Sequence, residues 1–495
     1  MKNNIYRYCT IILLFSQFNI SCNKDFLQLS PQGTITEALF PRTENDAKSA
    51  VNAVYANMRN WSYWSGGFPI LDIISDDAVK GSSPTDAGRL DLIDNFQFTS
   101  TFSDIDPWYS ALYKAVKAAN LVIEKVSAIE MDANLKNRYI AEASFLRAMF
   151  YFNLVRAFGD VPKVTTTKPP LKLLRSPKQE IYNEIIIPDL KLAIDNLPEK
   201  KSYSADDLGR ASKGAAKSLL AKVYLYQADF ENAEKYVLEV INSNMYSLEP
   251  VYTDAFSLAG QWGVESVFEV GARPFDGDFI LGGNQYANTQ GVRGDPNKGW
   301  GFNRPSVNLI NAFEPEDVRK KGTIIFLGDV IDGITILGDI STSDITYADD
   351  AHTIIKEQET YNRKVWVPGI GTISEYGYNV RVIRYAEVLL IASEALNENN
   401  KSSEALIYLN LVRKRAGFLT DITDANKNSL RIKIWNERRV ELAMEGDRFF
   451  DLVRTGQAEA VLGPLGFKKG KHELFPIPQN EIDLSEGTLT QNPEW

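Results

Sequence analysis

The sequence predicts a mainly α-helical protein in which pairs of helices scaffold an irregular, loop-rich lobe with short strands. Two observations carry this prediction. Apolar residues recur at helical spacing in both halves of the chain, whereas the stretch 246–380 loses this spacing and becomes dense in Gly, Asn, Asp, Tyr and Trp. Of the 495 residues, 44% are hydrophobic and 24% are charged, a balance typical of folded globular proteins.

Periodic apolar residues indicate the first helices. One helix is predicted shortly before residue 60, and another over Tyr139–Phe158, where two apolar stripes indicate packing on both sides. A loop rich in aromatic residues separates the first helix from the helical pattern that resumes at Pro107. The apolar face of the first helix consists of Ala47, Val51, Val54, Tyr55 and Met58.

Two helical pairs follow along the chain. Ala211–Tyr226 and the segment that starts at Phe230 predict a helical hairpin around a turn at 227–229, and a second pair is predicted over Val388–Ala395 and Ala405–Val412. Small and large residues alternate in both pairs as they do in tetratricopeptide units, where alanines let paired helices approach closely. Because the copies are irregularly spaced, a tandem solenoid is not predicted.

Short strands and a long last helix complete the predicted elements. Ser266–Val270 and Thr323–Leu327 are typical of short strands inside the loop-rich stretch. The last helix is predicted from about Ser429 to Arg454, and an extended tail with prolines follows it. Long ordered loops are usually retained for binding, so a ligand site is expected in the loop-rich stretch.

The first 22 residues have the layout of a lipoprotein signal. Lys2 and Arg7 precede a short apolar run, which is too short to span a bilayer, and Ser21-Cys22 follows. We therefore predict that residues 1–21 are a signal peptide and that Cys22 is acylated and anchors the chain in a lipid bilayer. The alternative is an ordinary secreted protein in which this cysteine occurs by chance.

Composition excludes several kinds of site. Cys9 and Cys22 are the only cysteines, so the body of the protein is expected to have neither disulfides nor cysteine zinc sites. His352 and His472 lie far apart, and no metal site or cofactor is predicted, although the sequence leaves open whether Ca²⁺ orders the acidic loops. The net charge of −10 repels phosphate backbones and argues against nucleic acid as a partner.

A run of residues near the C-terminus carries a specific resemblance. Residues 437–456 read ERRVELAMEGDRFFDLVRTG and closely resemble the signature of the SusD/RagB family of outer-membrane nutrient-uptake lipoproteins. Three further matches agree: GWGFNRPS at 299–306, the tail segments LFPIP at 474–478 and LTQNP at 489–493, and the lipoprotein start at Cys22. Together these matches cover nearly the whole chain in the order the family has.

The resemblance implies a fold, a partner and a location. It implies four tetratricopeptide-like helical pairs, with an N-terminal helical region over 22–245 and a C-terminal region over 246–495 that contains the loop-rich insertion. It also implies a surface lipoprotein that binds a glycan or peptide, without being an enzyme, and delivers it to a TonB-dependent, SusC-like outer-membrane barrel. Asn23-Lys24-Asp25 carries a single acidic residue, fewer than signals for export to the outer leaflet often have. The sequence therefore leaves open whether the lipid anchor faces inward.

The candidate ligand residues combine flat aromatic rings with polar side chains. Aromatic rings stack on the apolar face of a pyranose, while Asp, Asn and Arg bond its hydroxyls. The alternative for such aromatic clusters is core packing. The predicted ligand residues are Trp61, Tyr63, Trp64, Asp77, Asn284, Tyr286, Arg293 and Trp300.

Carboxylates on the last helix raise two other functions. Glu437, Glu441 and Glu445 have i, i+4 spacing, which would suit a glycosidase if one of them kept a raised pKa. Arginines are interleaved with the acids of this helix, so we expect an ion-pair network that holds the carboxylate pKa values low. A structural adaptor that recruits other envelope proteins through its helical pairs is the remaining alternative.

Overall fold

The computed structural model describes residues 40–273, 283–339, 359–368 and 377–495, together with two short strands between 346 and 356. Within these, Thr43–Trp495 belongs to one compact unit. The predicted signal peptide and Cys22 lie outside the described residues. None of the described helices combines the length and apolar composition needed to cross a membrane.

Helices dominate this unit. Several begin at a side chain that accepts a hydrogen bond from the first turn, as Asp132 does from the backbone N–H of Leu135 at 2.8 Å. The described helices are α1 (Glu44–Asn57), α2 (Ile70–Ile73), α3 (Leu90–Asp94), α4 (Ile105–Lys125), α5 (Ala133–Phe158), α6 (Lys178–Ile181), α7 (Ile187–Asn196), α8 (Lys213–Tyr226), α9 (Phe230–Asn242), α10 (Tyr286–Gln290), α11 (Val307–Ala312), α12 (Arg319–Thr323), α13 (Tyr385–Glu398), α14 (Ser402–Arg415), α15 (Lys427–Glu441), α16 (Arg448–Arg454), α17 (Ala458–Leu462) and α18 (Gln479–Leu484).

Neighbouring helices pack in pairs. α4 lies against α5, α8 against α9, and α13 against α14, while α7 bridges α5 to α8 and α9 contacts α13. The mainly α-helical fold with helical pairs, predicted from periodicity, is confirmed. α5 is covered on both sides by α1, α4 and α7, as its two apolar stripes indicated.

The strands are short and join segments that are distant in sequence. Every described strand pairs with one antiparallel partner. In the pairing of β1 with β5, Val79 lies opposite Arg304, which brings the chain after the aromatic loop next to the segment that begins at Gly299. The strands are β1 (Ala78–Gly81), β2 (Val161–Pro162), β3 (Arg175–Ser176), β4 (Ser266–Val270), β5 (Phe302–Pro305), β6 (Ile324–Phe326), β7 (Val330–Ile331), β8 (Ile334–Thr335), β9 (Thr346–Ala348), β10 (Ile354–Lys356), β11 (Thr360–Asn362) and β12 (Val380–Arg384).

The prediction of one continuous helix from about Ser429 to Arg454 is wrong. α15 ends at Glu441, and α16 begins only at Arg448. Met444 and Gly446 between them have φ values of 65° and 81°, a left-handed conformation that a helix cannot continue through. Glu445 therefore lies in a turn, where its carboxylate accepts hydrogen bonds from Arg384 and Lys364.

Glu441 is the centre of a buried ion-pair network. Its carboxylate lies 2.6 Å from a guanidinium nitrogen of Arg415, 2.9 Å from Arg384 and 3.1 Å from Arg319, and its side chain is fully buried. Burial by itself would raise the pKa of Glu441, but these cations lower it well below the ordinary value. The network predicted for this helix exists, although the partners of Glu441 come from α14, β12 and α12.

Glu437 departs from the expectation of low pKa values on this helix. Burial raises the pKa of Glu437 above its ordinary value, even though Arg319 and Arg413 contact its carboxylate at 2.7 and 2.9 Å. The side chain is 2% exposed and has no open face for a substrate. Its raised pKa therefore reflects burial inside the ion-pair network, which gives no support to a glycosidase acid at this position.

Replacing Arg384 with Met should lower the free energy of unfolding by about 3–5 kcal/mol, because Glu441 and Glu265 would lose a buried cationic partner. Urea unfolding followed by circular dichroism measures the loss. The matched control is Lys414→Met, since Lys414 and its partner Asp421 have side chains 56% and 45% exposed, and it should change stability far less. Equal losses in both variants would contradict the role of the network.

Candidate functional site

Two exposed tryptophans from distant parts of the chain meet at the surface. The ring centroids of Trp61 and Trp300 lie 5.8 Å apart, with the ring planes at 80°. Their residues are 37% and 36% exposed, which is unusual for side chains that normally contribute to cores. Below them, the ring of Phe68 lies 5.4 Å from Trp61 and 4.9 Å from the buried ring of Phe302. We call the exposed rings of Trp61 and Trp300, together with the buried ring of Phe68 beneath them, the aromatic surface.

The loop after α1 holds Trp61 in place. Trp61 begins a short 3₁₀ turn whose Asn60 side chain accepts a hydrogen bond from the backbone N–H of Ser62 at 2.9 Å. The indole N–H of Trp61 donates to the carbonyl of Gly67. Gly67 has φ +104°, and a Cβ at this position would lie 2.6 Å from the indole of Trp61. The glycine therefore lets the loop close against the ring.

Trp300 is held by the segment that resembles the family motif. Its backbone N–H donates to the carbonyl of Asn288 at 2.8 Å, and the N–H of Gly301 donates to the carbonyl of Gly291 at 3.0 Å. A Cβ on Gly301 would lie 2.8 Å from the Cβ of Arg293. This close packing fixes Trp300 beside the charged groups that surround Arg293.

Partly exposed charges flank the aromatic surface. Arg293 donates to Ser82 at 2.7 Å and to Asp339 at 2.9 Å, and it also contacts Asp86. Burial acts to raise the pKa of Asp86, but hydrogen bonds from Arg293 and Ser82 lower it, so this exposed carboxylate is ionised at neutral pH. These side chains provide hydrogen-bond donors and acceptors beside the exposed rings.

A second arginine adjoins the opposite part of the aromatic surface. The Arg89 guanidinium lies 5.0 Å from the centre of the Phe68 ring and forms a bidentate pair with Asp104 at 2.7 and 2.9 Å. The Arg89 side chain is 38% exposed. Exposed rings with charged, partly exposed neighbours form a site that is able to stack and hydrogen-bond a polar ring.

The other predicted aromatic residues line a separate cavity. Tyr63, Trp64 and Tyr286 border a space of about 110 Å³ between α5, α8 and β12, and the rings of Trp64 and Tyr286 lie 5.6 Å apart. The Trp64 indole nitrogen is buried and has no hydrogen-bond partner among the described residues. Ligand pockets for drug-sized molecules measure about 300 Å³ or more, so this cavity does not accommodate an oligosaccharide.

Two predicted ligand residues are occupied by contacts within the protein. Asp77 is fully buried and accepts a hydrogen bond from Arg439 at 2.8 Å. Asn284 is 4% exposed; its amide donates to the carbonyl of Tyr378 at 2.9 Å and accepts from the backbone N–H of Tyr286 at 3.0 Å. Neither reaches the aromatic surface, so the site proposed below does not include them.

Known protein families and solved structures show which family this chain belongs to. A model described as SusD family matches residues 265–469, and one described as starch-binding associating with outer membrane matches 25–225. A solved structure named laminarin binding SusD-like protein is 30% identical, covers 92% of this chain and 100% of its own, and superposes with a TM-score of 0.76. The chain belongs to the SusD family.

Other relatives agree with this SusD-family assignment over nearly the full length. SusD-like protein P2 of Formosa agariphila is 28% identical over 527 residues, which cover 99% of each chain. Surface glycan-binding protein A from Bacteroides thetaiotaomicron, solved in complex with laminarihexaose, is 26% identical, covers 91% of this chain and 99% of its own, and has a TM-score of 0.76. The resemblance found in the motifs at 299–306 and 437–456 is thus confirmed.

Sequence reasoning missed part of the site in this SusD-family chain. Phe68 contacts Trp61, Arg89 lies over Phe68, and Asp86 contacts Arg293, but none of the three was among the predicted ligand residues. The segment 82–89 does carry a signal, because it is polar and rich in turn-forming residues directly after β1. Its position beside Trp300 depends on the pairing of β1 with β5, which local sequence does not reveal.

Gly67→Ala should destabilise the protein by several kcal/mol in total, with about 1–2 kcal/mol from the left-handed backbone and about 1–3 kcal/mol from overpacking against Trp61. Gly456→Ala is the matched control, because Gly456 has φ +72° but no atom of the described part of the chain lies within 4 Å of an added Cβ. Urea unfolding of both variants separates strain from clash. A loss no larger for Gly67→Ala than for Gly456→Ala would show that the loop does not need this close approach.

Proposed function

We propose that this protein binds a glucan at the aromatic surface, at the outside of a Gram-negative outer membrane, and does not cleave it. The observation that carries the proposal is the pair of exposed tryptophans, Trp61 and Trp300, held in contact by segments from both halves of the chain. An exposed indole pair is costly in water, and it matches the apolar C–H face of a pyranose ring.

Charged neighbours account for the polar part of recognition. A sugar ring stacked on Trp61 or Trp300 presents its hydroxyls at its edge, and we expect Arg293, Asp86 and Arg89, the partly exposed charged side chains around the aromatic surface, to bond them. Arginine donates and the Asp86 carboxylate accepts, so together they match hydroxyl groups that do both. These charged side chains would orient the sugar, and the aromatic rings would supply most of the apolar area that it buries.

The names of relatives favour glucose polymers. One similar structure is named as laminarin binding, another was solved with laminarihexaose, and the N-terminal family model is described as starch-binding. Laminarin and starch differ in linkage but share a glucose ring whose faces are apolar. We infer that the ligand is a glucan, with a laminarin-type chain as the first candidate.

Binding without hydrolysis is consistent with the carboxylates near the surface. A glycosidase needs two carboxyl groups across the scissile bond, one of them with a raised pKa. Asp86 has a lowered pKa, and Asp104 is paired with Arg89. Asp72, whose pKa burial raises to about 7, is 1% exposed and has both oxygens in hydrogen bonds.

Anchoring and delivery complete the proposed role. Acylation of Cys22 would attach the protein to the outer membrane, and a SusC-like TonB-dependent barrel would receive the captured glucan. Both steps rest on the lipoprotein layout of residues 1–22 and on membership of the SusD family.

Isothermal titration of the chain from Asn23 to Trp495 with laminarihexaose and maltoheptaose tests the binding site. Trp61→Ala and Trp300→Ala should each weaken binding by about tenfold or more, since tenfold corresponds to about 1.4 kcal/mol of lost stacking. Leu411→Ala is the control, because Leu411 is 44% exposed on α14 and plays no part in the aromatic surface. It should leave the affinity unchanged.

Other outcomes of the same titrations would redirect the proposal. Shorter sugars appearing in the samples would show hydrolysis and overturn the non-enzymatic role. Unchanged affinity in both tryptophan variants would place the ligand elsewhere on the protein. Absence of binding to both oligosaccharides would contradict the glucan proposal and favour another glycan, a peptide ligand or the adaptor role.

Cys22→Ala should move the protein from the membrane fraction to the soluble fraction and abolish labelling by a radioactive fatty acid, since no other cysteine follows it. Cys9→Ala is the control and should leave both readouts unchanged. Protease treatment of intact cells expressing the native chain then reports the side of the membrane that it faces. Membrane retention of Cys22→Ala without acylation would contradict the lipid anchor.

A further inference from the structure

One buried carboxylate connects the two segments that carry the exposed tryptophans. Asp72 lies in α2, directly after the loop that presents Trp61, and it is 1% exposed. Its Oδ2 accepts a hydrogen bond from the Asn303 amide at 3.0 Å. Asn303 lies in β5, three residues after Trp300, and is fully buried. The contact therefore joins the base of one tryptophan segment to the base of the other.

The same carboxylate also holds the turn of the C-terminal motif. Asp72 Oδ1 accepts a hydrogen bond from the backbone N–H of Gly446 at 2.8 Å, at the turn between α15 and α16. Beyond Asn303 the polar chain continues, because its amide also donates to Gln290 at 2.8 Å, and Gln290 accepts from Asn362 at 2.9 Å. Removing Asp72 would leave buried donors on two different segments without an acceptor.

We propose that Asp72 is a positioning residue for the glucan site, and that its carboxylate keeps Trp61 and Trp300 at the separation that binds the ligand. This role rests on the proposed function and adds a residue that governs the geometry of the proposed site. Asp72 does not contact the ligand, since it is buried below the loop. It acts through Asn303 and through the loop that precedes α2.

Several elements bring titratable groups near Asp72. The cavity that Asp72 borders is also lined by Tyr63, Arg156, Lys222, Arg381 and Asp447. Hydrogen bonds from Asn303 and Gly446 act to lower the Asp72 pKa. On its own segment, Asp77 acts to raise the Asp72 pKa, whereas Lys364 from the turn after β11 acts to lower it. Tyr286 of α10 and Glu445 of the C-terminal turn border the same cavity. Asp77 is paired with Arg439, and Glu445 with Arg384 and Lys364, so burial is the largest influence and the pKa of Asp72 rises to about 7.

Ionisation of Asp72 near neutral pH predicts opposite trends in affinity and stability. The carboxylate accepts both hydrogen bonds, and charge-assisted bonds are the stronger ones, so the tryptophan segments are held best above pH 7. Because the folded-state pKa lies above the ordinary value, the stability from the neutral acid is present at low pH and is lost as the pH rises through about 7. Affinity should therefore increase while stability falls.

The change in affinity has an upper limit. If the ionised form alone binds, apparent affinity follows the ionised fraction, which rises up to about tenfold between pH 6 and pH 8 for a group titrating near 7. Titrations of the wild-type chain with laminarihexaose at pH 6, 7 and 8 measure it. Asp72→Asn should give a flat profile near the wild-type affinity at pH 6, and Asp72→Ala should bind more weakly at every pH.

A matched variant separates positioning from general destabilisation. Asp189 is also buried and has a raised pKa, but it pairs with Arg147 at 2.7 Å between α5 and α7, among the helical pairs. Asp189→Asn should lower stability and keep the wild-type pH profile of binding. A wild-type affinity that does not change with pH, or a pH profile retained by Asp72→Asn, would overturn the proposal.

A ligand-free measurement keeps this inference independent of the glucan. The chain has eight tryptophans, and labelling with 5-fluorotryptophan gives fluorine resonances that Trp61→Phe and Trp300→Phe assign. Both resonances should shift with a common midpoint near pH 7 in the wild type and stay constant in Asp72→Asn. If they titrate and no glucan binds, the proposed ligand fails and the positioning role stands; if they do not titrate, the positioning role fails.

Discussion

A carboxylate buried among three arginines joins the main parts of this protein. Glu441 receives Arg319, Arg384 and Arg415 from three separate elements of the chain. Such a charge is stable inside a protein only when its partners are complete, because removing one leaves a desolvated ion without compensation. The end of α15 is therefore held at one place relative to the helical pairs and the loop-rich part.

The arrangement of the C-terminal motif continues from this anchor. Just before Glu441, Arg439 pairs with Asp77, and after the turn Arg448 forms a bidentate pair with Asp76. These pairs connect the C-terminal motif to the segment that follows the aromatic loop. With β1 paired to β5, the loop and the segment at 299–306 become neighbours, and the aromatic surface forms where they meet. Buried ion pairs thus position the aromatic surface, whose exposed side chains are largely apolar.

The predicted aromatic ligand residues differ in burial even where they are of the same type. Trp61 and Trp64 belong to the same short turn, yet one lies at the surface with Trp300 and the other borders an internal cavity with Tyr286. Asp77 is of a residue type that bonds sugar hydroxyls, but it contacts Arg439 in the interior. Local sequence does not distinguish these cases, since each depends on what the fold places opposite the side chain.

Helices and family were determined by the sequence itself. Apolar spacing of three and four residues is a local property, so α1, α5, α8, α9, α13 and α14 were evident without tertiary information. The run at 437–456 and the segment at 299–306 were specific enough to identify the SusD family. The break after Glu441, the raised pKa of Glu437 and the contact of Trp61 with Trp300 were decided only by the tertiary structure. The last two depend on residues far apart in sequence, whose burial and charge partners exist only once the chain has folded. The break has a left-handed backbone of its own and is held by the hydrogen bond from the Gly446 N–H to Asp72.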